Sequence, residues 1–333
     1  MGMNLKGRSL LTLLDYTPDE IRYLLEISKT CKADSRSGII HQRFKGKTLA
    51  MIFEKRSTRT RVAFETAFGE EGGHPLFLST QDIQLGAKES IEDTARVLGR
   101  MVDAIMFRGF KQKTVEILAK YSGVPVYNAL TDLYHPTQVL ADLMTIEENF
   151  GKLKGIKMVF MGDGRNNMAN SLMIGSAKMG LHYVICSPKE LRPNEDLVKK
   201  CLEISKVSGA KIEFTDNVDE AVKGADVIYT DVWASMGEEN KAEERRKLLS
   251  PYQVTEEVMK KTGKSETIFM HCLPAVKGQE VTFEVIEGPQ SKVWDEAENR
   301  KHTIKALMLA TIWYHIVFIK GSFEYLDFNK ARF

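Results

Sequence analysis

Short apolar runs alternate with stretches of helical period along almost the whole chain. Thr48-Leu49-Ala50-Met51-Ile52-Phe53 is a run of strand length with no polar face, the pattern of a strand buried on both sides. Upstream, Thr17-Pro18-Asp19-Glu20 predicts a helix start, with Thr17 as cap, Pro18 in the first helical position and Glu20 able to reach back to the cap. Ile21, Leu24, Leu25 and Ile27 form its apolar face. Downstream of the strand the pattern predicts a helix through Val62–Ala67, a strand over Pro75–Leu78, a helix capped at Ser90 and ending near Met101, and a strand over Ala104–Phe107. A helix over 113–121, a strand over Val124–Tyr127 and a helix from 136 to about 149 follow. The polar, glycine-bearing stretch Asn149–Gly155 then interrupts the pattern, as a domain boundary does.

Beyond it the alternation restarts, with strands over Lys157–Met161, Tyr183–Ile185, Lys211–Phe214, Asp226–Tyr229 and Thr267–Met270, and helices over 167–179 and 194–208. Asn299–Ile316 predicts a long amphipathic helix, and Val317–Phe333 a tail rich in Phe and Tyr. Strand and helix in alternation imply parallel sheets flanked by helices. The expected fold is therefore α/β with two similar domains and an active site in the interdomain cleft. The expected boundaries are 1–150, 151–298, and 299–333 for a last helix returning to the first domain plus its tail.

Composition narrows the function classes. The chain has 333 residues, and 47 Lys and Arg nearly cancel 45 Asp and Glu. There is no global field to draw nucleic acid or an acidic membrane, so local basic clusters point to local anions. Four scattered cysteines, Cys31, Cys186, Cys201 and Cys272, lack the spacing of a zinc site or a disulfide framework, which points to a reducing cytoplasm. No apolar stretch is long enough to span a bilayer.

The chemistry gathers where strands end, which is where ligands of parallel sheets bind. Ser57-Thr58-Arg59-Thr60-Arg61 lies between the first strand and its helix. An anion there can take hydrogen bonds from the free amides of the helix start, from hydroxyls, and from the planar fork of Arg59 or Arg61. Taken alone, the same residues also fit a solvated basic run. Arg108-Gly109 and His135-Pro136-Thr137-Gln138 follow the next strands; singly, Arg108 fits a surface salt bridge and His135 a helix cap. Gly162-Asp163-Gly164-Arg165-Asn166-Asn167 resembles a dinucleotide fingerprint with its third glycine missing. Asp231-Val232-Trp233-Ala234-Ser235-Met236-Gly237 and His271-Cys272-Leu273-Pro274-Ala275 complete the set, Cys272 fitting either a buried small side chain or a Cys-His nucleophile.

Together, Ser57–Arg61 and His135–Gln138 resemble the aspartate/ornithine carbamoyltransferase family, and Asp231–Gly237 with His271–Pro274 resemble its ornithine branch. The aspartate branch carries His-Pro-Leu-Pro-Arg at the latter place, with an arginine where Ala275 stands here. The resemblance implies a first domain binding carbamoyl phosphate and a second binding ornithine. Ser57, Thr58, Arg59, Thr60 and Arg108 would hold the phosphate, and Gln84 would reach a neighbouring subunit's site, with Lys88 a further candidate contact. Thr60, Arg108 and His135 would polarise the carbamoyl carbonyl, while Gln138 and the Leu273 carbonyl accept from its NH2 group and Arg300 completes the site. Asn167, Asp231, Ser235 and the Met236 backbone would hold the amino acid, with Cys272 and Asp231 orienting and deprotonating its δ-amine. The resemblance further implies catalysis without metal or organic cofactor, a homotrimer, and a charged lid from Met236 to Arg245 hinged at Gly237. Alternative readings are carbamoyl transfer to another amine such as putrescine or N-acetylornithine, a dinucleotide-dependent oxidoreductase, and a nucleic-acid-binding module.

Overall fold

The computed structural model describes residues 3–80, 83, 88–234 and 242–312, with the backbone of two further strands near the C-terminus. The chain divides into two compact units, Met1–Leu140 with Arg300–Phe333, and Ala141–Asn299.

In the first unit, helix α1 (Pro18–Arg36) begins with the expected capping box: Thr17 Oγ1 accepts from the Glu20 amide at 3.2 Å and Glu20 accepts from the Thr17 amide at 2.8 Å. Strands β1 (Thr48–Phe53), β2 (His74–Ser79), β3 (Ala104–Arg108) and β4 (Val126–Leu130) form one sheet in the order β2-β1-β3-β4, every pair parallel. β4 starts two residues later than the sequence pattern suggests, because Pro125 has no N–H to give the ladder. Helices α2 (Thr58–Gly69), α3 (Ile91–Met101) and α4 (Gln112–Ser122) follow the strands in turn, and α5 (Pro136–Phe150), after β4, passes into the second unit at Ala141. Ala50, Ile52, Ile105, Phe107, Val115 and Val126 are packed in one core with no exposed surface.

In the second unit, β5 (Lys157–Met161), β6 (His182–Cys186), β7 (Lys211–Thr215), β8 (Val227–Thr230) and β9 (Ile268–His271) form a parallel sheet in the order β7-β6-β5-β8-β9. Its order reverses between β6 and β8, so the loops after β5 and β8 leave the sheet side by side. Helices α6 (Asn167–Met179), α7 (Glu195–Ser208) and α8 (Val218–Val222) alternate with the strands. Three helices with no counterpart in the sequence reading follow, α9 (Ala242–Leu249), α10 (Glu256–Lys261) and α11 (Phe283–Ile286).

The last helix, α12, runs Val293–Ile312 rather than Asn299–Ile316. Asp295 and Glu296 occupy its first turn, where the helix dipole favours acids. Its second half is fixed in the first unit by Lys305 on Glu70 (2.9 Å) and by Thr311 on the Tyr127 hydroxyl (2.7 Å). In the tail, β10 (Ile316–Ile319) and β11 (Ser322–Tyr325) pair antiparallel with each other.

Candidate active site

The first half-site is built on the carboxyl edge of the β1–β3–β4 sheet. Ser57 caps α2, its hydroxyl accepting from the Thr60 amide at 3.2 Å, so Thr58, Arg59 and Thr60 occupy the anion-favouring first turn. Arg108 is the last residue of β3 and buried, and its Nη1 donates to Thr60 Oγ1 at 3.2 Å. Arg300, also buried, donates to Gln138 Oε1 at 2.7 Å and to Thr60 Oγ1 at 3.5 Å. Thr60 is thus the point on which two guanidinium groups converge. Gly109 is required by close approach, since a Cβ there would collide with the Glu54 carboxylate and the Phe107 ring. Arg61 is committed elsewhere, to Glu65 at 2.9 Å and to the face of Phe77, 3.9 Å from the ring centre. Of the two arginines the sequence offered, it is Arg59 whose charge bears on His135, beside Arg108 and Arg300. Next to this turn is a cavity of about 620 Å³ lined by Phe53, Ser57, Thr58 and Ser79 among others.

His135 lies at the entry to α5, is buried, and meets the Thr137 hydroxyl at 3.4 Å through Nδ1. Burial, then Arg300, Arg108 and Arg59, holds its imidazole well below the ordinary histidine range, so it is neutral at neutral pH. A hydroxyl that donates to Nδ1 leaves the hydrogen on Nε2, where it can serve a carbonyl oxygen. An unfolded histidine takes up a proton as pH falls through about 6.5, whereas the folded His135 does not. The stability His135 contributes is therefore present above that pH and lost as pH falls below it, at up to about 1.4 kcal/mol per pH unit. Denaturant unfolding at pH 7.5 and 5.5 is expected to show a smaller acid loss of stability in His135→Gln than in the wild type; equal losses would overturn the assignment.

The second half-site lies at the carboxyl edge of β5, β8 and β9. Asp231 is buried directly after β8; its Oδ1 accepts from the Val232 amide at 2.8 Å and from the Cys272 thiol at 3.2 Å. Its Oδ2 accepts from Asn166 Nδ2 at 3.1 Å. Asn166 also caps α6 through the Ala169 amide at 2.7 Å, which places half-buried Asn167 in the first helical position. Burial above all, then the neighbouring Asp231, pushes the Cys272 thiol well above its usual range, and burial raises the Asp231 carboxyl too. Cys272 is accordingly a thiol that donates, not a thiolate that attacks.

His271 does not activate that thiol. Its Nδ1 accepts from the Leu273 amide at 2.8 Å and its Nε2 meets Glu280 Oε1 at 3.3 Å. The Cys-His nucleophile that the sequence left open is not formed. Asp231, His271 and Cys272 bring three metal-capable atoms within 4.8 Å of one another, but both ring nitrogens of His271 are already engaged, so the three do not make an open ligand set. Leu273 stands at φ 58°, a left-handed conformation costly for a side chain of its size. The bond from its amide to His271 holds it there.

Gln84, Ser235, Met236 and the expected lid as far as Lys241 lie outside the described residues, while Lys88 is exposed in a turn. At the far end of the expected lid, Arg245 in α9 is buried against Asp163 at 3.3 Å. Sequence reasoning missed Asn166 and Glu280. Asn166 had a readable signal, a cap residue before an apolar helix; the buried Glu280 had none.

These features define a two-domain α/β protein with an anion-favouring helix turn on one sheet and a carboxylate–thiol pair on the other. Comparison with known proteins agrees. The carbamoyl-phosphate-binding domain of aspartate/ornithine carbamoyltransferases matches residues 8–148, and the aspartate/ornithine-binding domain matches 154–311. An ornithine carbamoyltransferase of Pseudothermotoga lettingae is 77% identical over 312 residues, covering 94% of this chain and all of that protein. A Clostridium perfringens protein named as the catabolic ornithine carbamoyltransferase is 58% identical, with 93% and 99% covered. The solved ornithine carbamoyltransferase of Pyrococcus furiosus superposes with a TM-score of 0.90 at 52% identity, covering 93% of this chain and 98% of its own. The chain belongs to the aspartate/ornithine carbamoyltransferase family.

Proposed function

We propose that this protein transfers the carbamoyl group of carbamoyl phosphate to the δ-amine of L-ornithine, giving L-citrulline and phosphate. The observation that carries the reading is the convergence of Arg108 and Arg300 on Thr60, beside a neutral buried His135 at the start of α5. A dianion fits that charge, and a carbonyl beside it fits the donors.

Ser57, Thr58, Arg59, Thr60 and Arg108 hold the phosphate, with Gln84 reaching in from an adjoining subunit. Thr60, Arg108 and His135 donate to the carbamoyl oxygen, where negative charge grows as the tetrahedral intermediate forms. Gln138, kept in place by Arg300, and the Leu273 carbonyl accept from the carbamoyl NH2. Asn167, Asp231, Ser235 and the Met236 backbone hold the amino acid. Asp231 and Cys272 orient the δ-amine, and with the sulfur protonated Asp231 is the proton acceptor of the two. Attack on the carbamoyl carbon forms the C–N bond; collapse breaks the C–O bond and releases phosphate.

Ornithine rather than aspartate is supported by Ala275, which offers no guanidinium to a second carboxylate, and by the names of the relatives. A homotrimer in the cytoplasm fits the family resemblance, and no helix among the described residues is long and apolar enough to cross a membrane. One site serves either direction of flux, so arginine synthesis and the catabolic role named for the Clostridium relative use the same chemistry.

The test is citrulline formation, or its analogue, with carbamoyl phosphate and a panel of L-ornithine, putrescine, N-acetylornithine and L-aspartate. Turnover confined to ornithine, and at least tenfold weaker in Arg59→Ala for loss of a charged hydrogen bond, is expected. Turnover of another amine would overturn the roles given to Asp231 and Cys272.

A further inference from the structure

A pair of buried acids lies behind the second half-site. Glu296, in the first turn of α12, accepts the Tyr229 hydroxyl at 3.1 Å on Oε1 and the His271 amide at 3.0 Å on Oε2. It is also hydrogen-bonded to Asp142 of α5. Both side chains are shut off from solvent, Glu296 at 1% exposure and Asp142 at 0%. The residue held by Glu296 is the one before Cys272.

Two ionised carboxylates have only acceptors to offer each other, so a hydrogen bond between them requires a proton. Two like charges this close, out of water, cannot both ionise. Burial first, then Asp142, pushes the Glu296 carboxyl well up, in keeping with this. We propose that Asp142 and Glu296 share a single proton and act as a positioning pair for the acceptor half-site, fixing the His271–Cys272 corner and keeping one negative charge behind the Cys272 sulfur. Neither residue touches the reacting atoms. The pair works through the backbone of β9 and through its field: Glu296 and Asp142 are among the charges that raise the Cys272 thiol. The inference rests on Cys272 and Asp231 being the acceptor site of the carbamoyl transfer proposed above.

The groups that face the pair bear on the proton count. Tyr229 faces it from β8, His271 and Cys272 from the end of β9, Tyr183 from β6, Asp231 through Cys272 and Glu280 through His271. Farther along α5 and α12, Asn299 bonds Thr145 at 2.9 Å and Glu148 at 2.8 Å.

The test counts charge. In D142N an amide N–H replaces the shared proton and the pair keeps its single negative charge on Glu296; D142N/E296Q removes that charge. The probe is iodoacetamide alkylation of Cys272 as a function of pH, located by peptide mass mapping, the other three cysteines being buried. D142N is expected to leave the alkylation midpoint at the wild-type pH, and the double variant to lower it by about one pH unit or more. Infrared spectroscopy at neutral pH is expected to show a protonated-carboxyl band in the wild type that D142N lacks. A midpoint lowered in D142N by about half as much as in the double variant would mean that both carboxyls are ionised in the wild type, and one lowered as far as in the double variant would mean that Glu296 carries no charge once Asp142 is replaced; either would overturn the proposal. So would an unchanged midpoint in a folded double variant, or a wild type without the infrared band. If the double variant does not fold, D142N and the infrared band decide. None of these readouts needs turnover, so a chain that makes no citrulline overturns the proposed reaction and leaves this test standing.

Discussion

Arg108→Ala is expected to lower kcat for citrulline formation by about 10²–10³, the loss found when one preorganised donor to a developing oxyanion is removed. The side chain is 6% exposed, sits at the rigid end of β3 and is aimed at Thr60, so it is in place before any substrate arrives. Its donors act where water is largely excluded, which strengthens each hydrogen bond. Arg108→Lys is expected to recover little, because one ammonium cannot serve phosphate and carbonyl oxygens together as a planar fork does. Steady-state kinetics with both substrates varied, beside a circular-dichroism check of folding, would measure this. A loss below tenfold in kcat/KM would remove Arg108 from the reacting centre.

Asp231→Ala is expected to act on the other substrate. Asp231 collects the Val232 amide, the Cys272 thiol and Asn166, and truncating it leaves those donors without their acceptor. Removing a buried charge that receives an ammonium group costs about 2–5 kcal/mol, roughly 30-fold to several thousand-fold in kcat/KM for ornithine. Carbamoyl phosphate affinity, measured by calorimetry, is expected to stay within about threefold of the wild type, since that ligand's assigned contacts, the Leu273 carbonyl apart, belong to residues of the other unit. A variant that loses both affinities together would show that Asp231 maintains the fold of the site and not the acceptor alone.

Much of this was legible in the residues. The run from Thr48 to Phe53 had to be a buried strand, and a Ser-Thr-Arg-Thr segment after it had to meet the free amides of a helix start. Thr17 and Glu20 form the box their spacing implied. What stayed hidden depends on long-range pairing. Arg61 looks equivalent to Arg59 in the sequence, and only the positions of Glu65 and Phe77 show that it is occupied. Cys272 can be read as a nucleophile until the partners of both His271 nitrogens are known. Glu296 belongs to α12, which begins at Val293 and not at the Asn299 that the pattern suggests, because its first turn carries more charge than apolar period. Asp142, in the middle of a helix, gives no sign in the sequence that it faces another acid.

The cluster of Arg59, Arg108 and Arg300 around His135 also has a consequence for handling the protein. Like charges gathered in a buried place oppose folding, and an anion that enters among them relieves that opposition. Anion binding to the native state alone adds RT ln(1 + [L]/Kd) to its stability. The unfolding temperature is then a property of the buffer as much as of the chain. Inorganic phosphate, a product of the proposed reaction, would make the protein look sturdier than it is in a buffer without such anions, so variants of this half-site are comparable only at one fixed anion concentration.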